Sequence, residues 1–359
     1  MDKKVIIIGV GPAGAYLGYL TAKKGLITNI FDKKSKIGLP FQCSGILTEE
    51  IENVIPKSFY KTSIDNITRK AMIICGKKVL EVRTKNYVVD RIKFDNLLAE
   101  KARDAGANIY MKKEFLRIKN NSLMIKGADN ISLRNSVLVG ADGPNSRVRR
   151  YVDNRHIFLW KAVQARVKAD VEKSTIEFYP SICTYAWVVP ENESTARIGV
   201  LGNNINLIRR EFRKLTERKN ARLICYIGGV IPKYDPKLRL QKGNIYLLGD
   251  AACQVKATTG GGIVPGLKSA KLLSECIERN MDYDALLNKS VGKELRLHLV
   301  IRKILDKFDK DDYEKLIEKF NTQGLKRVLE TTNRDNMLGA MPRILLHSMK
   351  LAYLVKKLI

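Results

Sequence analysis

The sequence has little of what metal or disulfide chemistry requires. Only three histidines accompany six cysteines in 359 residues. No two cysteines have the Cys-x-x-Cys spacing, so zinc sites and thioredoxin-type redox motifs are not expected. The cysteines are scattered, as free thiols are in a reducing compartment. We therefore predict no metal site.

Long hydrophobic runs are also missing. No apolar stretch reaches the roughly 18 residues that a spanning helix needs, and the chain has no internal repeat, low-complexity tract or long linker. The first residues, MDKKVIIIGVGPAGAY, place a short apolar run before glycines. This order suits a strand, turn and helix better than a cleavable signal, and we expect a cytoplasmic location. A content of 45% hydrophobic and 28% charged residues is typical of a globular protein, long enough for two domains.

Acidic residues are much fewer than basic ones in this chain. Lys and Arg number 65 against 37 Asp and Glu, a net charge of +28. Such an excess favours anionic lipid surfaces, phosphorylated small molecules or nucleic acid. The lysines are spread along the chain, so a general enrichment of lysine in the proteins of the organism explains the positive charge equally well. No interleaving of aromatic and basic residues supports RNA, and no nucleic-acid partner is expected.

The N-terminus contains a complete dinucleotide-binding pattern. KVIIIG at 4–9 predicts a buried parallel strand, followed by Gly9-x-Gly11-x-x-Gly14, a helix, and a second strand ending in Asp32. The glycines allow the tight turn, the approach of a pyrophosphate and close packing of the helix on the strand. Asp32 would bind ribose hydroxyls and repel a 2′-phosphate.

Two later segments select the cofactor. SVLVGADGPNSRVRR at 136–150 and IYLLGD at 245–250 each end a predicted strand with an acid, Asp142 and Asp250. An extended cofactor touched from three places fits FAD, whose ribityl hydroxyls would face an acid. The glycines of GDAACQVKATTGGGIVPG at 249–266 would let the backbone lie along it, and the next helix would direct its N-terminus at the flavin.

GVGPAG, GADGPNSRVR and GDAA together resemble the hydroxylase-type flavoproteins. Within them, FQCSGI at 41–46, the stretch from 90 to 107, YAWVVP at 185–190 and GDAACQVKATTGGGI at 249–263 resemble the geranylgeranyl reductase family, its archaeal members most. The resemblance covers nearly the whole chain and thins after about residue 290. It implies that FAD is contacted by Ala13, Asp32, Cys43, Ser44, Arg91, Asp250, Gly262 and Ile263.

Several residues have a structural and a functional interpretation. Cys43 is either a small buried thiol or, as the resemblance implies, a group that shapes the cavity or delivers a proton. Tyr185 and Trp187 alternate on a strand, which is typical of core positions and also of a wall for a polyprenyl chain. Two departures stand out: Glu191 follows YAWVVP where lysine is expected, and Cys253 follows GDAA where aromatic hydroxylases carry histidine.

We predict an α/β fold, with a Rossmann-type FAD-binding domain, an inserted mostly-β substrate domain and C-terminal helices. The FAD-binding domain is expected to comprise 1–60, 90–150 and 240–290. The substrate domain is expected to comprise 61–89 and 151–239, and the helical region 291–359. The final segment, MPRILLHSMKLAYLVKKLI, would either close the substrate domain or lie on an anionic membrane.

The resemblance implies reduction of isolated double bonds in geranylgeranyl chains of archaeal-type membrane lipid precursors, by hydride from reduced flavin and a proton. Its partners would be a polyprenyl glycerophospholipid, the anionic membrane at the inner surface, and NADPH or a ferredoxin-type donor. The alternative is a FAD-dependent monooxygenase of an aromatic or polyprenyl substrate. The missing histidine after GDAA and the TTGGGI block count against that alternative.

Overall fold

The computed structural model describes residues 3–332, 335 and 337–340. Strands and helices are interspersed as far as residue 262, and the described elements from residue 263 onward are helical. The strands are β1 (Lys4–Ile8), β2 (Ile27–Asp32), β3 (Ile46–Thr48), β4 (Ile64–Cys75), β5 (Lys78–Val89), β6 (Asn108–Met111), β7 (Glu114–Lys119), β8 (Ser122–Lys126), β9 (Ile131–Ser132), β10 (Ser136–Gly140), β11 (Leu159–Lys168), β12 (Thr175–Tyr179), β13 (Tyr185–Pro190), β14 (Thr195–Gly202), β15 (Arg222–Pro232), β16 (Gln241–Lys242) and β17 (Ile245–Leu247). The α-helices are α1 (Pro12–Lys23), α2 (Ile51–Val54), α3 (Arg91–Asp104), α4 (Arg149–Val152), α5 (Ile205–Arg218), α6 (Ile263–Arg279), α7 (Tyr283–Lys289), α8 (Val291–Leu305), α9 (Lys310–Phe320) and α10 (Gln323–Thr331).

The first sheet has the order β16-β17-β10-β1-β2-β6 and is parallel except for β16. Its central strand β1 is a continuous apolar run, and Val5, Ile6 and Ile7 are fully buried, as expected for a parallel strand covered on both faces. Helix α1 packs beside α3 and α6. The carboxyl ends of β1, β10 and β17 lie at one edge, where ligands bind in such sheets.

The second sheet is mixed and larger, with the order β15-β11-β14-β13-β12-β4-β5-β3. Neighbouring strands are antiparallel except β4 and β12. Helix α5 covers one face with Ile208, Phe212 and Leu215, because their spacing places all three on one side of the helix. The other face turns its aromatic side chains toward the first sheet.

The remaining elements flank these sheets. Strands β7, β8 and β9 form a small antiparallel sheet. Helix α8 packs Leu295 and Leu299 into a cluster with Trp160 and Trp187, and α9 packs Tyr313 on β5. The predicted fold class is confirmed. The boundaries of the three predicted segments stay a prediction; β3, inside 1–60, pairs with β5 in the second sheet.

None of the helices in the described part of the chain is long and apolar enough to cross a membrane. The last predicted segment, from 341 onward, lies outside the described residues.

Candidate active site

A cavity of about 320 Å³ lies where the ligand-binding edge of the first sheet meets the aromatic face of the second. Most residues predicted to bind cofactor or substrate line it, although they come from six separate segments. They are Gly11, Ala13, Gly14, Cys43, Ser44, Arg91, Tyr185, Trp187, Asp250, Gly262 and Ile263. Gly9, Asp32 and Asp142 lie behind this lining.

The glycine turn is shaped by the lack of side chains. Gly9 has φ +109°, and its amide donates to the carbonyl of Phe31 at 2.8 Å. A Cβ at Gly14 would collide with the Gly9 carbonyl oxygen, whereas one at Gly11 would meet nothing within 4 Å. Gly11 is also the N-cap of α1 and makes no side-chain cap. The first amides of α1 are therefore available to an anion in the cavity.

Asp32 supports this turn from behind. Its carboxylate accepts hydrogen bonds from the backbone amides of Val10 and Lys34, both at 2.8 Å. The side chain fixes the loop after β1 to the end of β2. Its predicted contact with ribose stays a prediction, and the structure adds a positioning role that the motif alone does not indicate.

Asp142 is engaged in the same way by its own loop. Its carboxylate accepts from the Ser146 hydroxyl at 2.6 Å and the Arg147 amide at 2.7 Å. Burial raises the pKa of this carboxyl, although these hydrogen bonds oppose the shift. Gly143 and Pro144 of this loop line the cavity, and the predicted contact of Asp142 with the cofactor stays a prediction.

The GDAA segment forms a 3-10 turn, Gly249–Ala252, at the end of β17. The Gln254 side chain accepts from the Gly249 amide at 2.7 Å and donates to the Tyr283 hydroxyl at 2.9 Å, which fixes the turn. Cys253 adopts a left-handed conformation and is fully buried, and burial raises the pKa of its thiol to about 12. This thiol is structural.

Asp250 is the acid that faces the cavity. Its carboxylate has no hydrogen-bond partner among the described residues, and burial raises its pKa while the charge of Arg91 opposes the shift. Gly262 is the N-cap of α6, and a Cβ added to it would lie 2.9 Å from an Asp250 oxygen. Two helix N-termini and an unpartnered carboxylate thus meet in one space.

The 40–45 loop is held by side chains from the second sheet. Arg197, only 2% exposed, donates to the carbonyls of Ser44 at 2.8 Å and Val89 at 3.0 Å. Gln164 donates to the Cys43 carbonyl at 3.3 Å, and the Gly45 amide donates to the Cys43 sulfur at 3.3 Å. Sequence reasoning missed Arg197 and Gln164, which stand at inward positions of β14 and β11.

The contacts of Glu191 explain why an acid stands where lysine is expected. It is 4% exposed, and its carboxylate pairs with Arg197 and Arg166, each at 2.6 Å. A buried arginine requires such a partner. Glu191 therefore supports the 40–45 loop through Arg197.

Arg91 begins α3 and forms a double hydrogen bond with Asp95, at 2.9 and 3.0 Å. Burial disfavours the Arg91 charge, but Asp95 and Cys43 outweigh it and raise the pKa of the guanidinium. The Arg91 guanidinium is thus fixed in place on the cavity wall, near Cys43 and Asp250.

Tyr185 and Trp187 form the aromatic part of the wall, with ring centroids 5.2 Å apart. The Trp187 indole donates to the Gln164 side chain at 2.8 Å, and the Tyr185 hydroxyl donates to the Thr259 carbonyl. Gly199 makes room for the indole, which a Cβ there would strike. Phe178, Ile227 and Ile231 extend this apolar side.

A second cavity of about 340 Å³ adjoins the first. Both are lined by Lys256 and Asp335, whose Nζ and Oδ1 atoms are 2.5 Å apart and buried. The Thr48 hydroxyl also donates to Asp335. No sequence pattern pointed to this pair, because its members are far apart along the chain.

The lining fits FAD in its chemistry. Backbone amides of α1 and the open surface at Gly11 suit a pyrophosphate, and the unpartnered Asp250 carboxylate suits hydroxyl donors of a ribityl chain. The backbone around Gly262 and the N-terminus of α6 suit the electron-rich edge of a reduced flavin.

The profile of the FAD binding domain family matches residues 2–194. Digeranylgeranylglycerophospholipid reductase of Thermoplasma acidophilum is 27% identical over 381 residues, covering 94% of this chain and 95% of that protein. The protein of the same name from Methanothrix thermoacetophila is 25% identical, covering 92% and 96%. These relatives confirm the resemblance inferred from the sequence.

Solved structures show the same fold. A geranylgeranyl bacteriochlorophyll reductase-like protein from Thermoplasma acidophilum has a TM-score of 0.81 at 23% identity and covers 99% of both chains. A flavin-dependent brominase has a TM-score of 0.70 at 18% identity, covering 98% of this chain and 100% of that one. The protein is a flavin-dependent oxidoreductase. With a match that spans more than half of its length, the chain belongs to the FAD binding domain family.

Proposed function

We propose that this protein is a FAD-dependent reductase that saturates isolated double bonds of geranylgeranyl chains in archaeal-type membrane lipid precursors. One observation carries the proposal: a single cavity joins a backbone cradle for FAD to an apolar aromatic wall. The names of the relatives, digeranylgeranylglycerophospholipid reductases, support this substrate class.

An unactivated alkene has no carbonyl to take up charge, so a strong hydride donor is required, and reduced FAD supplies this chemistry when bound. The chain must hold the alkene against the cofactor and exclude water. Tyr185, Trp187 and Phe178 provide the apolar surface for the alkene. Gly11, Ala13, Asp250, Gly262 and Ile263 would hold the cofactor.

Cys43 is the proposed group nearest the chemistry. Its sulfur accepts a hydrogen bond from the Gly45 amide, and its side chain lies on the cavity wall together with that of Arg91. It either shapes the space above the cofactor or delivers a proton to the second alkene carbon. Arg91 and Ser44 flank it.

Electrons would come from NADPH bound transiently or from a small ferredoxin-type protein, since the chain has one glycine-rich nucleotide motif. The substrate is a lipid, so the protein would act from the cytoplasm, in peripheral contact with the anionic inner membrane surface. The net charge of +28 supports that contact.

The test is direct. The purified protein is checked for a bound-flavin spectrum, reduced with dithionite without oxygen, and given an unsaturated archaeal-type lipid. Mass spectrometry should show a gain of two hydrogen atoms per double bond. Incorporation of oxygen in air would favour a monooxygenase instead.

Cys43→Ala and Cys43→Ser form a matched pair for this assay. If the thiol delivers the proton, both should retain flavin and lose turnover, and the solvent isotope effect should change in the variants. If the thiol only shapes the cavity, the similarly sized serine should preserve most of the activity.

A further inference from the structure

One part of strand β15 has no covering in the fold. Residues 222–226, Arg-Leu-Ile-Cys-Tyr, are all exposed. Leu223 is 51%, Ile224 44% and Tyr226 69% exposed. Single exposed apolar residues are ordinary, but this run is continuous. We call residues 222–226 the β15 ribbon.

The β15 ribbon is the outer edge of the second sheet, paired with β11 on one side. Successive side chains in a strand point to opposite faces, so the exposure of all five residues means that side chains on both faces reach solvent, although α5 lies beside one of them. The strand is also at the edge of its sheet, since β11 is its sole neighbour among the described strands. A partner for this ribbon must reach both faces, as fluid lipid does and a flat protein surface does not.

Basic residues surround the ribbon. From 205 to 226 the chain has seven Lys or Arg against two Glu. The ring of Phe212 in α5 lies 6.1 Å from that of Tyr226, which places α5 beside the ribbon. Within the described chain, no acidic partner is found for several exposed cations here: Lys168, Arg209, Arg213 and Arg222.

The ribbon is continuous with the cavity. β15 becomes buried at Ile227, and its residues 227–231 line the cavity wall. Gly229 faces the Gln42 side chain of the 40–45 loop. One strand thus leads from an exposed apolar and basic surface to the aromatic wall.

We propose that the β15 ribbon and its flanking cations form a docking surface for an anionic lipid bilayer, where the apolar side chains enter the interfacial region and the cations contact lipid phosphates. The strand would lie at headgroup depth, since its free edge needs hydrogen-bond partners. A second copy of this chain fits less well, because pairing two β15 edges would bring two equally basic surfaces together with few acidic residues to balance them. The inference rests on the proposed lipid substrate for its purpose, but binding can be measured without turnover.

The experiment uses full-length protein and vesicles of phosphatidylglycerol or phosphatidylcholine. Leu223→Asp/Ile224→Asp should weaken sedimentation with phosphatidylglycerol vesicles by about a hundredfold, through lost apolar burial and added negative charge. Leu116→Asp/Val79→Asp, at positions elsewhere that are slightly less exposed, should bind as the wild type does. Binding to phosphatidylcholine should be weak throughout.

Tyr226→Trp gives a direct readout of contact. Its added emission should shift to the blue on phosphatidylglycerol vesicles and be quenched by brominated lipid. Unchanged binding of the double Asp variant would overturn the proposal, as would a wild-type dimer that this variant dissociates.

The same variant separates this inference from the proposed function. It should reduce detergent-dispersed lipid at the wild-type rate and vesicle-embedded lipid about tenfold more slowly. If the wild type reduces no lipid while the ribbon still governs vesicle binding, the proposed function fails and the docking surface stands.

Discussion

The two ends of the cavity are built by different means. Where the nucleotide would lie, the wall is backbone: glycines and helix N-termini, with Asp32 and Asp142 holding the loops from behind. Around the 40–45 loop, the wall depends on buried polar side chains, Arg197, Glu191 and Gln164. We expect the nucleotide end to be disrupted by any side-chain atom added to its glycines. We expect the end at the 40–45 loop to be disrupted by the loss of one buried charge. The predictions below test this difference.

The largest loss of stability is expected for Glu191→Gln. The change leaves the buried Arg197 with only Asp65, at 3.3 Å, as an acidic partner. Breaking a buried pair costs about 3–5 kcal/mol, and urea unfolding would measure the loss. Arg166→Gln is the matched control, because the Arg166 side chain is 45% exposed and its removal should cost less than about 1 kcal/mol. Equal losses would contradict a buried support.

Gly14→Ala should cost about 1–3 kcal/mol, because its Cβ meets the Gly9 carbonyl and the turn must move. Thermal unfolding and flavin content should both fall. Gly11→Ala serves as the control, because no protein atom lies within 4 Å of the added Cβ. This variant should fold normally and lose only flavin affinity. A Gly11→Ala protein with full affinity would show that the cofactor does not approach that backbone.

Asp250→Asn should weaken FAD binding by about tenfold to a hundredfold, the effect of losing hydrogen bonds to a charged group. Titration of apoprotein with FAD, followed by fluorescence, measures it. Asp95→Asn is the comparison, since it changes Arg91 indirectly and should weaken binding less. An unchanged dissociation constant for Asp250→Asn would remove this residue from the site.

The same substitution should alter the pH dependence of apoprotein stability. Burial raises the pKa of Asp250 above its ordinary value of 3.8. The folded state therefore binds this proton more tightly than the unfolded state, and this contribution to the free energy of unfolding falls as pH rises from the ordinary pKa through the raised one. Asp250→Asn should remove that fall. Parallel curves for the two apoproteins would contradict it.

The smallest effect is expected for Trp187→Phe, which removes the hydrogen bond to Gln164 and should cost about 1 kcal/mol. Lipid reduction should slow by more than this small loss of stability would explain, because Gln164 also holds Cys43. Trp160→Phe trims another buried indole of the same cluster. Equal effects of the two variants on turnover would show that packing alone matters.

The backbone end of the site was predictable from local sequence. Gly9, Gly11 and Gly14 act within one turn, and a strand on either side identifies them. Even so, the pattern did not show that Asp32 and Asp142 accept backbone hydrogen bonds from loops, because a motif gives a residue type and spacing but no hydrogen-bond partner. Asp142 accepts the amide of Arg147 in its own loop, whereas Asp32 accepts the amide of Lys34 close by and that of Val10 in the turn after β1.

The side-chain end could not be predicted in the same way. Arg197 reaches Ser44 across more than 150 residues, and alternation along β14 cannot distinguish a buried arginine from an exposed one. Glu191 was noticed only as a missing lysine. Its role follows from the pairing of β13 with β14, which brings Val189 opposite Arg197 and the following residues close to it.

The hydrogen bond from Tyr185 to the Thr259 carbonyl joins the two walls across the cavity. A ligand that displaced the phenol ring outward would free that carbonyl and the glycine segment after it. A side chain of the apolar wall is therefore tied by one hydrogen bond to the glycine segment that precedes α6, and movement of either one breaks that link.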